Sequence, residues 1–255
     1  MTDVVANGVR HHVQRLGSGE RTVVFIHGLV MDNLSSFYFT LANPIAEQAE
    51  VILYDLRGHG MSERPETGYS VANLVEDLRG VLDTLEITRP VELVGNSFGG
   101  LLALAFAATY PDRVSRLALI DAHTGTEGWA AQMTATLALK GDARDQKIAE
   151  SFQSWLGRHS DRKRTRLARS AQALVEGTSL VADLRTSPSL KLAGIRCPTL
   201  ALYGETSDVR VHGEALAAAL PRCTLQLFPG CSHSVLWEAT ADVRERVVAF
   251  VRGAA

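Results

Sequence analysis

Short runs of β-branched and aliphatic residues alternate along this chain with longer stretches whose apolar positions recur every three or four residues. The first kind includes Val23-Val24-Phe25-Ile26, Val51-Ile52-Leu53-Tyr54, Val91-Glu92-Leu93-Val94, Val114 to Ile120, Thr199 to Tyr203 and Thr224 to Phe228. Runs this short and this continuous predict strands, the first two of them buried. The second kind is clearest from Ser70 to Leu85, where Leu74, Leu78, Val81, Leu82 and Leu85 mark one helical face and Ser70 supplies a cap. A further helix is predicted after residue 97 as far as Tyr110, stopping before Pro111. A last one carries Val243, Val247, Val248 and Val251 on one side. Residues from about Leu34 to Gln48 read as a helix that Pro44 interrupts or shortens. The alternation predicts a mostly parallel sheet with helices on both faces.

From about Gly125 to Gly194 the rhythm breaks. Helical patterns begin near Gln132, Asp142, Asp161 and Ser179, Gly177 marks one stop, and no strand pattern intervenes. The expectation is a core of residues 1–124 and 195–255, with residues 125–194 inserted as a helical lid over the carboxyl edge of the sheet. That edge is where open α/β sheets bind ligands.

The bulk numbers narrow the function classes. The chain's 255 residues suit one α/β unit. A balance of 26 basic against 28 acidic side chains points to neither nucleic acid nor an anionic membrane as the main partner. Met1-Thr2-Asp3-Val4-Val5 lacks a basic region followed by a long apolar stretch, and no run reaches the ~18–20 apolar residues of a membrane span. The expected location is the cytoplasm. Cys197, Cys223 and Cys231 are odd in number and show no C-x-x-C spacing, against a disulfide framework or a zinc site.

The sharpest chemical signal is Gly95-Asn96-Ser97-Phe98-Gly99, placed between a strand pattern and a small-residue helix pattern. It predicts a tight strand-to-helix turn with a serine at its apex, the flanking glycines relieving the crowding. A nucleophile so placed requires an acid and then a histidine later in the chain. Both follow. Four further pieces stand at strand ends in the same order: His27-Gly28, Asp55-Leu56-Arg57-Gly58-His59-Gly60-Met61-Ser62, Asp208 and Ser232-His233. With these pieces the chain resembles the α/β-hydrolase family over nearly its whole length. The resemblance implies that family's fold.

A serine hydroxyl is a weak nucleophile at neutral pH and needs a base, for which imidazole is suited. Of eight histidines, His233 lies in the loop between the last strand and last helix, where the family carries its base. His11 and His12 fall in an early edge strand by pattern, and His159 and His212 in helical or loop surface contexts. His123, just past a strand end, is the rival. The acid that orients the imidazole is assigned first to Asp208, which follows a strand and lies between Ser97 and His233. Many relatives place this acid three residues after the glycine, where this chain has Ser207. Asp121 is the second choice, a position that some thioesterase-like relatives use, and Glu205 the third. Asp121 also reads as a turn residue at the entrance to the lid. The resemblance further implies an oxyanion hole made by the backbone N–H groups of Leu29 and Phe98, with His27 bracing its loop.

Other features read as structural. Arg57-Gly58-His59-Gly60 is expected to be a turn with solvated side chains at the rim of the site. Arg158, Arg162, Lys163, Arg164, Arg166 and Arg169 read as a solvated helix face, with docking of an acyl carrier protein or a phosphopantetheine arm as the minority alternative. Trp129, Met133, Phe152 and Trp155 either line an acyl pocket or form lid core, and Cys231 reads as a plain buried thiol. The expected activity is hydrolysis of an ester or thioester, coenzyme A thioesters included, of a small, largely apolar acyl group, with no cofactor and no metal. Serine at the apex argues against the haloalkane dehalogenase and epoxide hydrolase branches, which use a carboxylate. Two alternatives stay open: a carbon–carbon hydrolase of the meta-cleavage-product type, whose elbow is similar, and a receptor that binds ligand on this fold. The former usually carries a glycine-rich loop where this chain reads His27-Gly28-Leu29-Val30-Met31-Asp32.

Overall fold

The structure is a computed structural model that describes residues 2–141, 143, 146 and 161–253. Features expected at Asp142, Phe152, Trp155, Arg158 and His159, and at the side chains of Arg162, Lys163 and Arg164, lie outside what is described.

Eight strands form one sheet: β1 (Thr2–Ala6), β2 (Val9–Leu16), β3 (Thr22–Ile26), β4 (Glu50–Tyr54), β5 (Val91–Asn96), β6 (Val114–Ile120), β7 (Thr199–Gly204) and β8 (Cys223–Phe228). Their order is β1-β2-β4-β3-β5-β6-β7-β8. From β4 to β8 all pairings are parallel, while β2 runs antiparallel to both β1 and β4. His11 and His12 therefore sit in an interior strand, because β1 covers the edge they were expected to form.

The continuous apolar runs are explained by coverage on both sides. Val24, Ile26, Ile52, Leu93, Leu117, Leu119 and Ala201 face one core, and Val23, Phe25, Val51, Val94, Ala118, Ile120 and Leu200 face the other. The period of two is present, but neither set meets water. Helix α3 (Val71–Thr84) lies in the first core with Leu74, Leu78, Val81 and Leu82, and the Ser70 hydroxyl caps it by accepting from the Asn73 N–H at 3.2 Å. Helix α4 (Phe98–Thr109) is buried from Phe98 through Ala107. A helix apolar all round is stable only in such a position. Helix α10 (Thr240–Arg252) closes the second core with Val243, Val247, Phe250 and Val251.

Between β3 and β4 the expected helix is broken into α1 (Ser35–Phe37), a π-helical turn (Tyr38–Ala42) and α2 (Asn43–Ala46). Pro44 has no N–H to give to the preceding turn, and the wide turn just before it absorbs the mismatch. The described residues between β6 and β7 include helices α5 (Trp129–Leu137), α6 (Asp161–Gly177) and α7 (Leu180–Arg185). Helices α8 (Arg210–Ala219) and α9 (Val235–Glu238) complete the chain. Among the described residues no helix is long and apolar enough to cross a membrane.

The strand order reverses about β3 and β5. Loops leaving their carboxyl ends diverge, and a crevice opens between them. The segments containing His27-Gly28 and Ser97 flank that crevice.

Candidate active site

Ser97 stands between β5 and α4 with φ +53° and ψ −117°, a conformation side chains other than glycine's seldom adopt. Two ladder bonds hold it there. Its N–H donates to the Ile120 carbonyl at 2.9 Å, and its carbonyl accepts from the His123 N–H at 3.2 Å. The glycine at position 99 is a steric necessity, since a Cβ there would lie 2.0 Å from the Ile26 carbonyl oxygen. The turn is therefore pressed against β3, which brings the serine beside the Leu29 loop.

His233 reaches the same point from the β8–α9 loop. Its backbone is anchored through Ser232, whose N–H and hydroxyl both donate to the Glu238 carboxylate at 2.6 and 2.8 Å. Ser97 Oγ lies 3.0 Å from His233 Nε2. On the other side of the ring, Nδ1 lies 2.6 Å from Asp121 Oδ2. A carboxylate only accepts, so the ring proton sits on Nδ1 and Nε2 is left to accept from the serine hydroxyl.

The carboxylate on His233 is thus that of Asp121 and not of Asp208. Asp121 is fully buried one residue past β6, at φ +46°. Its Oδ1 accepts from the Gly204 N–H at 2.8 Å, and its Oδ2 also accepts from the Ser207 hydroxyl. Asp208 Oδ1 stands 4.0 Å from His233 Nδ1, and its side chain is 72% exposed. The reason is local. In the loop after β7 the inward position falls to Ser207, whose hydroxyl reaches Asp121, so the next side chain is turned to solvent. Glu205 is engaged elsewhere, accepting from the Gly230 N–H at 3.1 Å.

The loop after β3 is fastened by buried side chains. Asp32 accepts from the Gly28 N–H at 2.7 Å, and the Met31 N–H donates to the Leu29 carbonyl at 2.9 Å. His27 Nδ1 donates to the Gly28 carbonyl at 2.7 Å and Nε2 accepts from the Leu56 N–H at 3.0 Å. The Arg57-Gly58-His59-Gly60 turn departs from the expectation of solvated side chains. Arg57 is buried in a forked pair with Asp77, and His59 is buried with Nδ1 donating to the Arg57 carbonyl at 2.8 Å. That bond leaves His59 Nε2 to accept from the Val30 N–H at 2.8 Å. Val30 is β-branched and held at φ +68°, which such a residue adopts only under constraint. Burial, with His27 alongside, pushes the His59 pKa down to about 3, so the ring stays neutral. The amides on either side of Leu29 are thus committed, to Asp32 and His59, and Phe98 begins α4, where backbone N–H groups lack an intrahelical acceptor.

Ser97 and His233 open into a cavity of about 880 Å³ whose walls include Leu29, His123, Met133, Val175 and Arg169. Met133 lines it, as one of its two readings had it. Trp129 is buried beside it, its ring stacked on Phe98 with centroids 6.1 Å apart. His123 lies with its ring centroid 5.7 Å from that of His233, and burial together with His233 and His212 pushes its pKa down to about 3. His212, on α8, is also drawn in, its Nδ1 2.6 Å from the Thr124 hydroxyl. Burial raises the Cys231 thiol, the opposite of an activated thiolate. Among the described residues no group of three His, Cys, Asp or Glu side chains is arranged to hold a metal ion.

This sheet order, with a strained serine between β5 and α4, is that of the alpha/beta hydrolase fold family, whose family model matches residues 21–197, and the chain belongs to it. A 2-hydroxy-6-oxononadienedioate/2-hydroxy-6-oxononatrienedioate hydrolase of Paraburkholderia phymatum is 29% identical over 95% of this chain and 91% of its own. A 2-hydroxy-6-oxo-2,4-heptadienoate hydrolase of Pseudomonas putida is 40% identical over 47% of this chain, a match spanning 43% of that protein. Among solved structures, the enol-lactonase from Burkholderia xenovorans superposes with a TM-score of 0.78 at 23% identity, covering 98% of this chain and all (100%) of that one. An esterase from Thermogutta terrifontis gives a TM-score of 0.80 at 21% identity, covering 99% and 98%. Likenesses at that level of identity speak for the fold alone.

Proposed function

We propose that the protein is a serine hydrolase that cleaves the ester or thioester of a small, largely apolar acyl group through an acyl-enzyme on Ser97. The observation that carries this reading is the unbroken chain Ser97 Oγ, His233 Nε2, His233 Nδ1, Asp121 Oδ2, at 3.0 and 2.6 Å, opening into the cavity. Ser97 attacks the carbonyl carbon as His233 Nε2 takes its proton. The N–H groups of Leu29 and Phe98 receive the charge that develops on the carbonyl oxygen. His233 then returns the proton to the leaving alkoxide or thiolate, and the acyl group stays on Ser97 Oγ. Water repeats the sequence, releasing the acid and restoring the serine. Asp121 holds the imidazole in the required tautomer and stabilises its cationic form. Residues 125–194 act as a lid whose described helices wall the acyl side. The measurement is labelling by a fluorophosphonate together with p-nitrophenyl ester turnover. Wild type is labelled and turns over; Ser97→Ala is neither labelled nor active, with turnover down by about 10⁴ or more. Equal labelling of the two proteins refutes the assignment.

A second reading is hydrolysis of a carbon–carbon bond in a vinylogous diketone, favoured by the named activity of the relative that is 29% identical over 95% of the chain. The loop His27-Gly28-Leu29-Val30-Met31-Asp32 lacks the glycine-rich sequence usual in that branch, so the ester reading comes first. A dienoate substrate separates the two, because cleavage of its diketone bleaches a visible chromophore.

A further inference from the structure

We propose that His123 is a specificity-determining residue: its Nε2–H is a fixed, neutral donor in the cavity wall, selecting acyl groups that carry a keto or hydroxyl oxygen beyond the reacting carbonyl. This rests on the hydrolase reading above and deepens it by naming the substrate class.

Two orphaned polar atoms lead there. His123 Nδ1 and Trp129 Nε1 are both buried and without a hydrogen-bond partner. Buried polar atoms left unpaired are rare enough to require an explanation. Their rings are neighbours, with centroids 6.1 Å apart and planes tilted by 57°, and pairing the two orphans with each other is the resolution inferred here. An indole N–H can only donate. Pairing it with His123 therefore satisfies both atoms in just one tautomer, the one with Nδ1 bare and the proton on Nε2.

The rest of the ring's surroundings keep it in that form. His123 forms part of the cavity wall together with Ser97 and His233. Burial and the two flanking imidazoles disfavour a second proton, so the ring stays a neutral donor even while His233 is cationic. Its backbone is tied to the nucleophile, since the His123 N–H donates to the Ser97 carbonyl. Trp129 is fixed in turn by its stack on Phe98. The donor's position is thus set by the elbow itself. Leu29, Met133 and Val175 in the same wall accept a hydrocarbon chain, and the His123 N–H among them favours a chain with an oxygen at the matching place.

Two measurements test the idea. The first compares kcat/KM for p-nitrophenyl esters of plain alkanoic acids with those of keto acids whose oxygen is stepped along the chain. Wild type prefers one keto position. In His123→Phe that preference falls about tenfold, the value of one neutral hydrogen bond. His123→Gln, whose amide nitrogen can replace Nε2, retains part of it, and His123→Asn, which mimics Nδ1, does not. The absence of any keto preference in wild type, or an equal loss on plain and keto esters in His123→Phe, overturns the proposal. The second is a long-range ¹H–¹⁵N spectrum of the histidines. The His123 proton is expected on Nε2, and Trp129→Phe, which keeps the stack but not the indole N–H, shifts the Nδ1 resonance. A proton on Nδ1 overturns the proposal. If wild type hydrolyses no ester while the spectrum shows the predicted tautomer, the hydrolase reading has failed and not the tautomer argument.

Discussion

Replacing Asp121 by asparagine changes one atom, and its effect follows from the bonds that atom makes. Oδ1 accepts from Gly204 N–H, while Oδ2 serves both the Ser207 hydroxyl and His233 Nδ1. The Gly204 amide demands that the asparagine keep its oxygen at the Oδ1 place. The NH₂ group then faces His233 Nδ1, two donors meeting head on, and the ring answers by moving its proton to Nε2. In that tautomer Nε2 cannot accept from Ser97 Oγ. Loss of the base by this route in serine hydrolases of other folds lowers kcat about 10⁴-fold, which is about 5 kcal/mol of transition-state stabilisation. Asp208→Asn provides the contrast. At 4.0 Å from Nδ1 and 72% exposed, that charge acts across water, where two unit charges at this distance interact by about 1 kcal/mol, at most roughly fivefold in rate. The assay is p-nitrophenyl acetate turnover in both variants, with circular dichroism to establish that each is folded. A folded Asp121→Asn within tenfold of wild type, or an Asp208→Asn that is the more damaged of the two, refutes the reasoning.

His59→Phe removes the acceptor of the Val30 N–H and frees a backbone held at positive φ, so the Leu29 amide drifts. Steady-state kinetics should show kcat falling by about tenfold or more, as for partial loss of an oxyanion donor, with KM little changed; the reverse pattern counts against a role in the transition state. Stability should depend on pH through the same buried rings. His59 and His123 have pKa values of about 3 in the folded chain against an ordinary 6.5. Above pH 6.5 neither state binds the proton; below it the unfolded chain does and the folded one does not, so stability falls as pH drops until about pH 3. At pH 5 the loss is about 2 kcal/mol for each ring. Urea melts from pH 7 to pH 5 should show it, with a shallower dependence in His123→Phe, and an identical slope in the two proteins would be the contrary result.

Much of this was legible before any coordinates, and the reasons are physical. Ser97 could be placed because the turn dictates glycine at position 99, and a steric demand of that kind leaves a mark in sequence. The parallel sheet was legible because strands covered on both faces must be apolar throughout. The acid was not. Asp121 and Asp208 both stand just beyond a strand in the order the serine requires, and which carboxylate turns inward depends on Ser207, whose part is visible only once β6 and β7 are side by side. The turn at residues 57–60 differs from its sequence pattern for a similar reason. Arginine and histidine beside two glycines look solvated by composition, whereas the buried partner Asp77 lies twenty residues on. Trp129 was named among the pocket or lid residues, but its orphaned N–H belongs to an environment that only packing creates.

Asn96 and Ile120 are partners in the parallel ladder between β5 and β6, and the serine and aspartate are the very next residues of those two strands. Their spacing is consequently a property of the scaffold, as stiff as the sheet itself. The imidazole alone arrives on a loop outside the ladder, held by bonds such as those from Ser232 to Glu238 and from Thr206 to Cys231. Any slackness that heat or mild denaturant introduces into this trio concentrates in that one arm, so chemistry should fade while the remaining framework is still intact.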